Sequence, residues 1–363
     1  MNQDWTYRKL GEACVLTMGQ SPSSESYNKE GKGLPFFQGC SDFGKLNPTV
    51  KTFCNAPAKI AEIGDVLMSV RAPIGTLNIA NVKCCIGRGL ASFRALPNID
   101  NMYLYYFLKH SNNCLQKLGT GSTFKAIGKE SLYNFPIPVP PLAIQSRIVS
   151  ELDLLQSIID KQKAQLKELD NLAQAIFYDM FGDPITNEKG WDVKTIKESC
   201  KRLYAGGDVP KERFCKGKNT DYTIPIFSNG TENNGLYGYT DEPRETENCI
   251  TIAGRGTIGY CVIRREPFFP IIRLIVAVPK DEINVVYLKG VIDCLKLKGQ
   301  GVAIPQLTIP MIKDNIIPVP PLPLQQSFAQ KVESIERQKE LINQSIREAQ
   351  TLFDSRMEYY FGE

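Results

Sequence analysis

The stretch "FPIPVPPLAIQSRIVSELDLL", Phe135 to Leu155, returns as "NIIPVPPLPLQQSFAQKVESI", Asn315 to Ile335. Six residues, IPVPPL, are identical at Ile137–Leu142 and Ile317–Leu322. Proline fixes its own φ, lacks an N–H and biases the residue before it toward extended backbone. Two prolines ahead of Leu142 and of Leu322 therefore set a stiff exit from one kind of structure into another. The residues beyond each exit read as helix. In the first copy Leu152, Leu155, Ile159, Gln162, Leu166, Leu169, Ala173, Ile176 and Met180 alternate steps of three and four, a heptad seam. The second copy places Val332, Ile335, Lys339, Ile342, Ile346, Ala349, Phe353 and Tyr360 on the same track. At ~1.5 Å per residue, a helix from Ile144 to Phe181 is roughly 57 Å long. One apolar stripe on so long a helix needs a partner in water, and the nearest partner is its own duplicate, packed antiparallel. Gln162 and Lys339 interrupt the seam, either as polar residues tolerated near a solvated edge or as residues that fix register.

Working outward, the repeat covers the whole chain. The first copy closes on MFGD (Met180–Asp183) and the second on YFGE (Tyr360–Glu363). Ahead of the prolines, GTGSTFKAI (Gly119–Ile127) resembles GQGVAIPQL (Gly299–Leu307), and SVRAPIGT (Ser69–Thr76) resembles AGRGTIGY (Ala253–Tyr260). LPFFQG from Leu34 matches IPIFSNG from Ile224, and the only two tryptophans, Trp5 and Trp191, open the halves. The expected organisation is a β-rich unit over residues 1–141, a helix over 142–183, a second β-rich unit over 184–321 and a second helix over 322–363. Short apolar runs such as GDVLMSV, TLNIANV and ASFRAL, and NCITIAG, YCVIRR and LIVAVP, split by Gly, Pro and Asn, read as strands. YLYYFLKHS and VVYLKGVIDCL read as one short helix per copy. The fold class is α+β with approximate two-fold symmetry.

Composition removes many functions. No apolar run reaches the ~18 to 20 residues of a membrane helix, and the N-terminus lacks the apolar core of a signal peptide, so a cytoplasmic protein is expected. Eleven cysteines without a CxxC pair argue against disulfide and zinc frameworks; buried free thiols are expected. Histidine, the commonest general base and metal ligand, occurs once, as His110, at the end of the YLYYFLK helix. There is no GxxxxGK[ST] phosphate loop, no dinucleotide-binding glycine loop and no DPPY-type tetrapeptide of an adenine methyltransferase. No catalytic or metal-ligating residue is expected. Charge is segregated. Residues 1–141 hold 15 Lys and Arg against 9 Asp and Glu, and residues 184–321 hold 19 against 16. The helical stretches are acidic, 4 against 7 over 142–183 and 5 against 7 over 322–363. Basic units joined to acidic helices suit a nucleic-acid binder whose contacts lie on the units.

Two variable β-rich units, each leaving through a P-x-P-P-L-x-x-Q exit into a long helix, resemble the specificity subunit of type I restriction–modification systems. The likeness rests on the two quoted stretches, the Gly-x-Gly segments before them and the starts at Trp5 and Trp191. It implies that each unit reads one half of a bipartite double-stranded DNA target while the antiparallel helices fix the spacing. It implies two docked modification subunits that bind S-adenosylmethionine and methylate adenine, with room for two restriction subunits that use ATP and Mg. No cofactor is expected on this chain. A type II system with a fused methyltransferase–nuclease would use the same recognition architecture. Arg is the commonest reader of guanine and Asn or Gln of adenine. On that basis the DNA-contacting candidates are Gln38, Arg71, Arg88 and Lys125 in the first unit, and Asn229, Arg255, Arg273 and Gln306 in the second. Arg71 and Arg255 occupy matched positions in units that should read different sequences, which favours phosphate contact for both.

Overall fold

The computed structural model describes residues 5–120, 125–300 and 305–362. The chain forms two compact units, one of residues 1–162 with 344–363, the other of residues 163–343. Each holds a β-rich body and parts of both long helices, which run over Leu142–Phe181 and Leu322–Phe361. Both helices begin directly after the paired prolines, where a residue needs no intrahelical N–H partner.

In the first unit the central sheet is antiparallel and four-stranded, in the order Cys14–Met18, Leu90–Ala95, Val66–Ser69, Leu77–Ile79. In the second it runs Cys200–Ala205, Ile275–Pro279, Cys249–Ile252, Cys261–Arg264, the same order. Val66–Ser69 and Cys249–Ile252 are buried at every residue, which explains why those runs lack polar alternation. A smaller sheet adjoins each: Leu34–Phe37 pairs in parallel with Cys84–Ile86, and Ile224–Phe227 with Phe269–Pro270. A short ribbon closes each unit, Thr6–Lys9 against Pro136–Val139 and Val193–Thr195 against Ile316–Pro318.

In each unit a helix of 10 residues lies on the central sheet. Asn101–His110 is capped by the Asp100 carboxylate, which accepts from the N–H groups of Met102 and Tyr103. Val285–Cys294 is capped by Asn284, which accepts from Val286 and Tyr287. The caps supply acceptors for helix N–H groups that lack partners. His110 ends its helix as expected and faces Glu358 at 3.7 Å.

The proline exits are locked joints. Gln145 is fully buried; its Nε2 donates to the carbonyls of Asn98 (3.0 Å) and Pro140 (2.8 Å), and its Oε1 accepts from the Asp100 N–H (2.8 Å). Gln325 repeats this with Glu282 (3.1 Å), Pro320 (2.7 Å) and Asn284 (2.8 Å). Tyr103 and Tyr287 donate their hydroxyls to the Pro138 and Pro318 carbonyls, each at 2.8 Å. Joint, cap and short helix thus form one hydrogen-bonded block in each unit. That is why the prolines and the glutamine recur at a fixed spacing.

Within each unit the long helices pack antiparallel. In the first unit Ile148, Leu152, Leu155 and Ile159 share a core with Phe353, Met357, Tyr360 and Phe361. The Arg356 Nε lies 2.7 Å from Glu151, and Gln162 donates to the Ser345 hydroxyl. In the second, Phe177 and Phe181 pack on Phe328, and Lys339 pairs with Asp170 at 2.7 Å. Gly290 of the short helix lies so close to Phe177 that a Cβ there would sit 2.8 Å from the ring. The two interruptions of the seam are therefore inter-helix polar contacts. The cysteines in the structure are free thiols, eight of them buried. Among the described residues, no helix is long and apolar enough to cross a membrane.

Candidate nucleic-acid interface

Four turns at one edge of the central sheet meet in each unit, and all eight candidate residues lie on or beside them. In the second unit the meeting is through side chains. Arg255 follows the buried strand Cys249–Ile252, and its Nη2 donates to the Gln306 Oε1 at 3.2 Å. Arg273 precedes the strand Ile275–Pro279, and its Nη1 donates to the same oxygen at 3.2 Å. Asn229 joins the two arginine turns: its Oδ1 accepts from the Gly254 N–H (2.8 Å) and its Nδ2 donates to the Ile272 carbonyl (2.6 Å). Ile272 and Arg273 both hold left-handed backbone, φ 51° and 58°. That conformation is unusual for any residue but glycine and rarer for a β-branched one. Asn229 donates to the strained turn's displaced carbonyl. One amide oxygen accepts from two guanidinium groups, exposed Arg273 and half-buried Arg255, and so gathers positive charge in one place, as a phosphate or guanine site requires.

In the first unit the turns are joined by backbone. The Gly87 N–H donates to the Phe37 carbonyl and the Gly89 N–H to that of Gln38, at 2.8 and 3.2 Å. The Val70 N–H donates to Gly89 and the Ile127 N–H to Val70, at 2.9 and 3.0 Å. Gln38, Arg88, Arg71 and Lys125 therefore sit on adjoining turns, with their side chains exposed. Arg71 bridges Ala126. The glycines after the matched arginines, Gly75 and Gly259, hold φ of 87° and 84° and donate back to Ser69 and Ala253. A Cβ on Gly75 would lie 1.9 Å from the Asn112 side chain, so this turn requires glycine.

The backbone bonds put the halves in register. Ile127 N–H to Val70 corresponds to Leu307 N–H to Gly254, and Gly87 N–H to Phe37 corresponds to Ile271 N–H to Phe227. Arg71 thus corresponds to Arg255, Gln306 to Ala126, Lys125 to Pro305, and Arg273 to Gly89 rather than to Arg88. At the position of Gln306 unit one carries Ala126, which has no amide. The segments 121–124 and 301–304, including Thr123 with Phe124 and Ala303 with Ile304, lie outside the described residues.

Two further side chains beside these turns were not singled out from the sequence. Arg264 is 7% exposed. Its Nε donates to the Thr251 hydroxyl (3.0 Å), its Nη2 donates to the Asn234 carbonyl (2.6 Å), and the guanidinium lies 3.5 Å above the Phe227 ring. Burial lowers its pKa to about 10, which leaves it charged at neutral pH. Tyr260 donates its hydroxyl to the Asn234 Oδ1 at 2.9 Å. An arginine closing the apolar run CVIR was the available signal.

The family described as type I restriction modification DNA specificity domain matches residues 2–171 and again residues 188–351. A putative type I restriction enzyme MjaX specificity subunit of Methanocaldococcus jannaschii is 39% identical over 177 residues, 48% of this chain and 42% of that relative. The type I restriction enzyme MjaIX specificity subunit of the same organism is 23% identical over 92% of this chain and 87% of its own length. The solved S subunit of a type I restriction–modification system from M. genitalium shares the fold, with a TM-score of 0.62 at 17% identity, over 98% of this chain and 95% of that one. A duplicated body, a duplicated joint and a family match that falls once on each copy lead to one conclusion: the chain belongs to the type I restriction modification DNA specificity family.

Proposed function

We propose that this chain is the DNA-recognition subunit of a type I restriction–modification complex and has no catalytic activity of its own. Reading domains over residues 1–141 and 184–321 each take one half of a bipartite double-stranded target. The helical segments 142–183 and 322–363 hold the spacing. Two modification subunits use S-adenosylmethionine to methylate adenine at the site the chain selects, and two restriction subunits with ATP and Mg complete the assembly, in the cytoplasm. The observation that carries this reading is the recurrence of one four-turn cluster of Arg, Lys, Gln and Asn on both copies of a duplicated scaffold. Gln38, Arg71, Arg88 and Lys125 contact one half-site, and Asn229, Arg255, Arg273 and Gln306 the other. Arg71 and Arg255 neutralise phosphates, and the residues that differ between the units read bases.

The test is to map methylated adenines genome-wide in cells that express this chain with its modification partner. A two-part motif with an unread gap, absent without this chain, is the expected result. Methylation without a motif, or motif-free binding of DNA by the assembled complex, would refute the reading.

A further inference from the structure

The loop Asn229–Gly235 leaves the strand Ile224–Phe227 and returns to it, with the Ser228 N–H donating to the Gly235 carbonyl at 2.8 Å. Its tip carries two consecutive asparagines in left-handed backbone, Asn233 (φ 46°) and Asn234 (φ 55°), both exposed. Asparagine tolerates this conformation better than most residues. An exposed asparagine amide offers the donor and acceptor pair that matches the N6 and N7 edge of adenine. The loop starts at Asn229, which ties it to the Arg255 and Arg273 turns.

What holds the tip is unusual. Arg264 is a buried cation whose hydrogen bonds go to a hydroxyl and a carbonyl. Among the described residues it forms no ion pair with a carboxylate. Burying a charge without a counter-charge is costly, and a purely structural role would be met by a neutral donor. Its Nη2 fixes the carbonyl of Asn234, while Tyr260 fixes the Asn234 side chain, leaving the Asn233 amide for a ligand. The first unit pins its corresponding loop from the corresponding strand. Fully buried Asn78 accepts from the Gly44 N–H (3.2 Å) and donates to the Gly44 carbonyl (3.1 Å). The pin differs in each unit, as does the loop it holds.

We propose that Asn229–Gly235 is a base-reading loop of the second unit, that Asn233 contacts an adenine edge in its half-site, and that Arg264 is the positioning residue that holds the loop. This rests on the DNA-specificity reading. The experiment selects bound sequences from a randomised duplex library with the full chain assembled on its modification subunits. It compares wild type, Asn233→Gly, which keeps the left-handed backbone and removes the amide, and Arg264→Met. Wild type should return a two-part motif; recovery of unselected sequence would overturn the specificity reading itself. Asn233→Gly should lose roughly tenfold of preference for adenine at one position, the discrimination of one bidentate contact. Arg264→Met should relax that position and its neighbours within the same half-site. The other half-site, read by the first unit, should be unchanged in both variants. An unchanged motif for Asn233→Gly overturns the loop assignment. Loss of the entire second half-site in Arg264→Met, rather than relaxation of one position and its neighbours, overturns the positioning role, since a folding defect confined to the second unit would remove all of that unit's readout.

Discussion

Replacing Gln145 tests whether the proline exit is a locked joint or a tether. Its amide makes three hydrogen bonds in the interior, one accepted from the Asp100 N–H and two donated to the carbonyls of Asn98 and Pro140. Gln145→Leu keeps the approximate volume and removes all three. Each neutral hydrogen bond contributes about 1 kcal/mol net, and a buried group left without a partner costs about 1–3 kcal/mol. Allowing for relaxation that hydrates one carbonyl, the first unit should lose about 3–5 kcal/mol, a large part of the ~5–15 kcal/mol typical of a whole domain. Gln325→Leu should do the same to the second unit, because its three partners are equivalent. Urea unfolding gives the magnitude, and hydrogen exchange read by mass spectrometry gives the location: loss of protection at the Asp100 amide and the Asn101–His110 helix. Gln145→Glu sharpens the test. The introduced carboxylate would face two carbonyl oxygens in a buried site, so its folded pKa lies above its unfolded value. A group raised in this way stabilises below its unfolded pKa, near 4.3, and that stability is lost as pH rises through the folded pKa. The variant should therefore weaken from acid toward neutral pH relative to wild type. A loss under about 1 kcal/mol for Gln145→Leu, with Asp100 still protected, would refute the locked joint.

Arg71→Ala and Arg255→Ala should each weaken DNA binding by the assembled complex and lower the slope of log affinity against log salt by about one, the value for one phosphate contact; parallel salt titrations of mutant and wild type check this. Ala126→Gln supplies the first unit with the amide that Gln306 provides in the second, and Arg71 should then need less ordering on binding, seen as a slower dissociation rate. Cys14, Cys84, Cys200 and Cys249, whose pKa values burial raises to about 12, should resist an aromatic disulfide reagent at pH 8 while exposed Cys114 reacts; peptide mapping of the labelled chain decides. Replacing Gln162 and Ser345 together by Leu and Ala removes a polar contact whose Oε1 is buried without a partner, and thermal unfolding should show a neutral or stabilising effect.

The fold was legible where periodicity and identity coincide. The seam named in the sequence runs along the contact between the helices: Leu152, Leu155, Ile159, Ile335, Phe353 and Tyr360 are buried and its other positions half-buried, whereas buried Phe177, Phe181, Phe328 and Met357 lie off it. The strand runs GDVLMSV and NCITIAG became the fully buried central strands because an apolar run between turn residues has few other places to go. The helix starts were legible because paired prolines admit little else. What the prolines could not reveal was the glutamine lock. Gln145 and Gln325 stand three residues inside a helix, where a glutamine ordinarily faces solvent. Only their shared spacing from the prolines marks them, and the function of that spacing depends on Asp100 and Asn284, more than forty residues away.

The turns of the candidate site were legible in the sequence, and their partners less so. Matching by sequence placed Arg71 over Arg255, which backbone bonding reproduces. The backbone register, set by Gly87 and Ile271, puts Arg273 at the position of Gly89 and Arg88 at that of Ile272, so these two arginines are not at matched positions. The difference has a physical consequence. In the second unit Gln306 holds two arginines before any ligand arrives, and Asn229 ties their turns together. In the first, Ala126 has no amide, and the positive groups Arg71, Arg88 and Lys125 extend from exposed turns. An ordered side chain loses less rotamer entropy on binding than a free one, by roughly 0.5–1.5 kcal/mol for each long side chain immobilised. If both units meet DNA as proposed, the second should present a preformed surface, whereas the first should order its long cationic side chains during encounter. A mismatch at a preformed surface leaves its fixed donors without acceptors, whereas flexible side chains can turn to a phosphate instead. Discrimination should therefore be steeper in the half-site of the second unit than in that of the first.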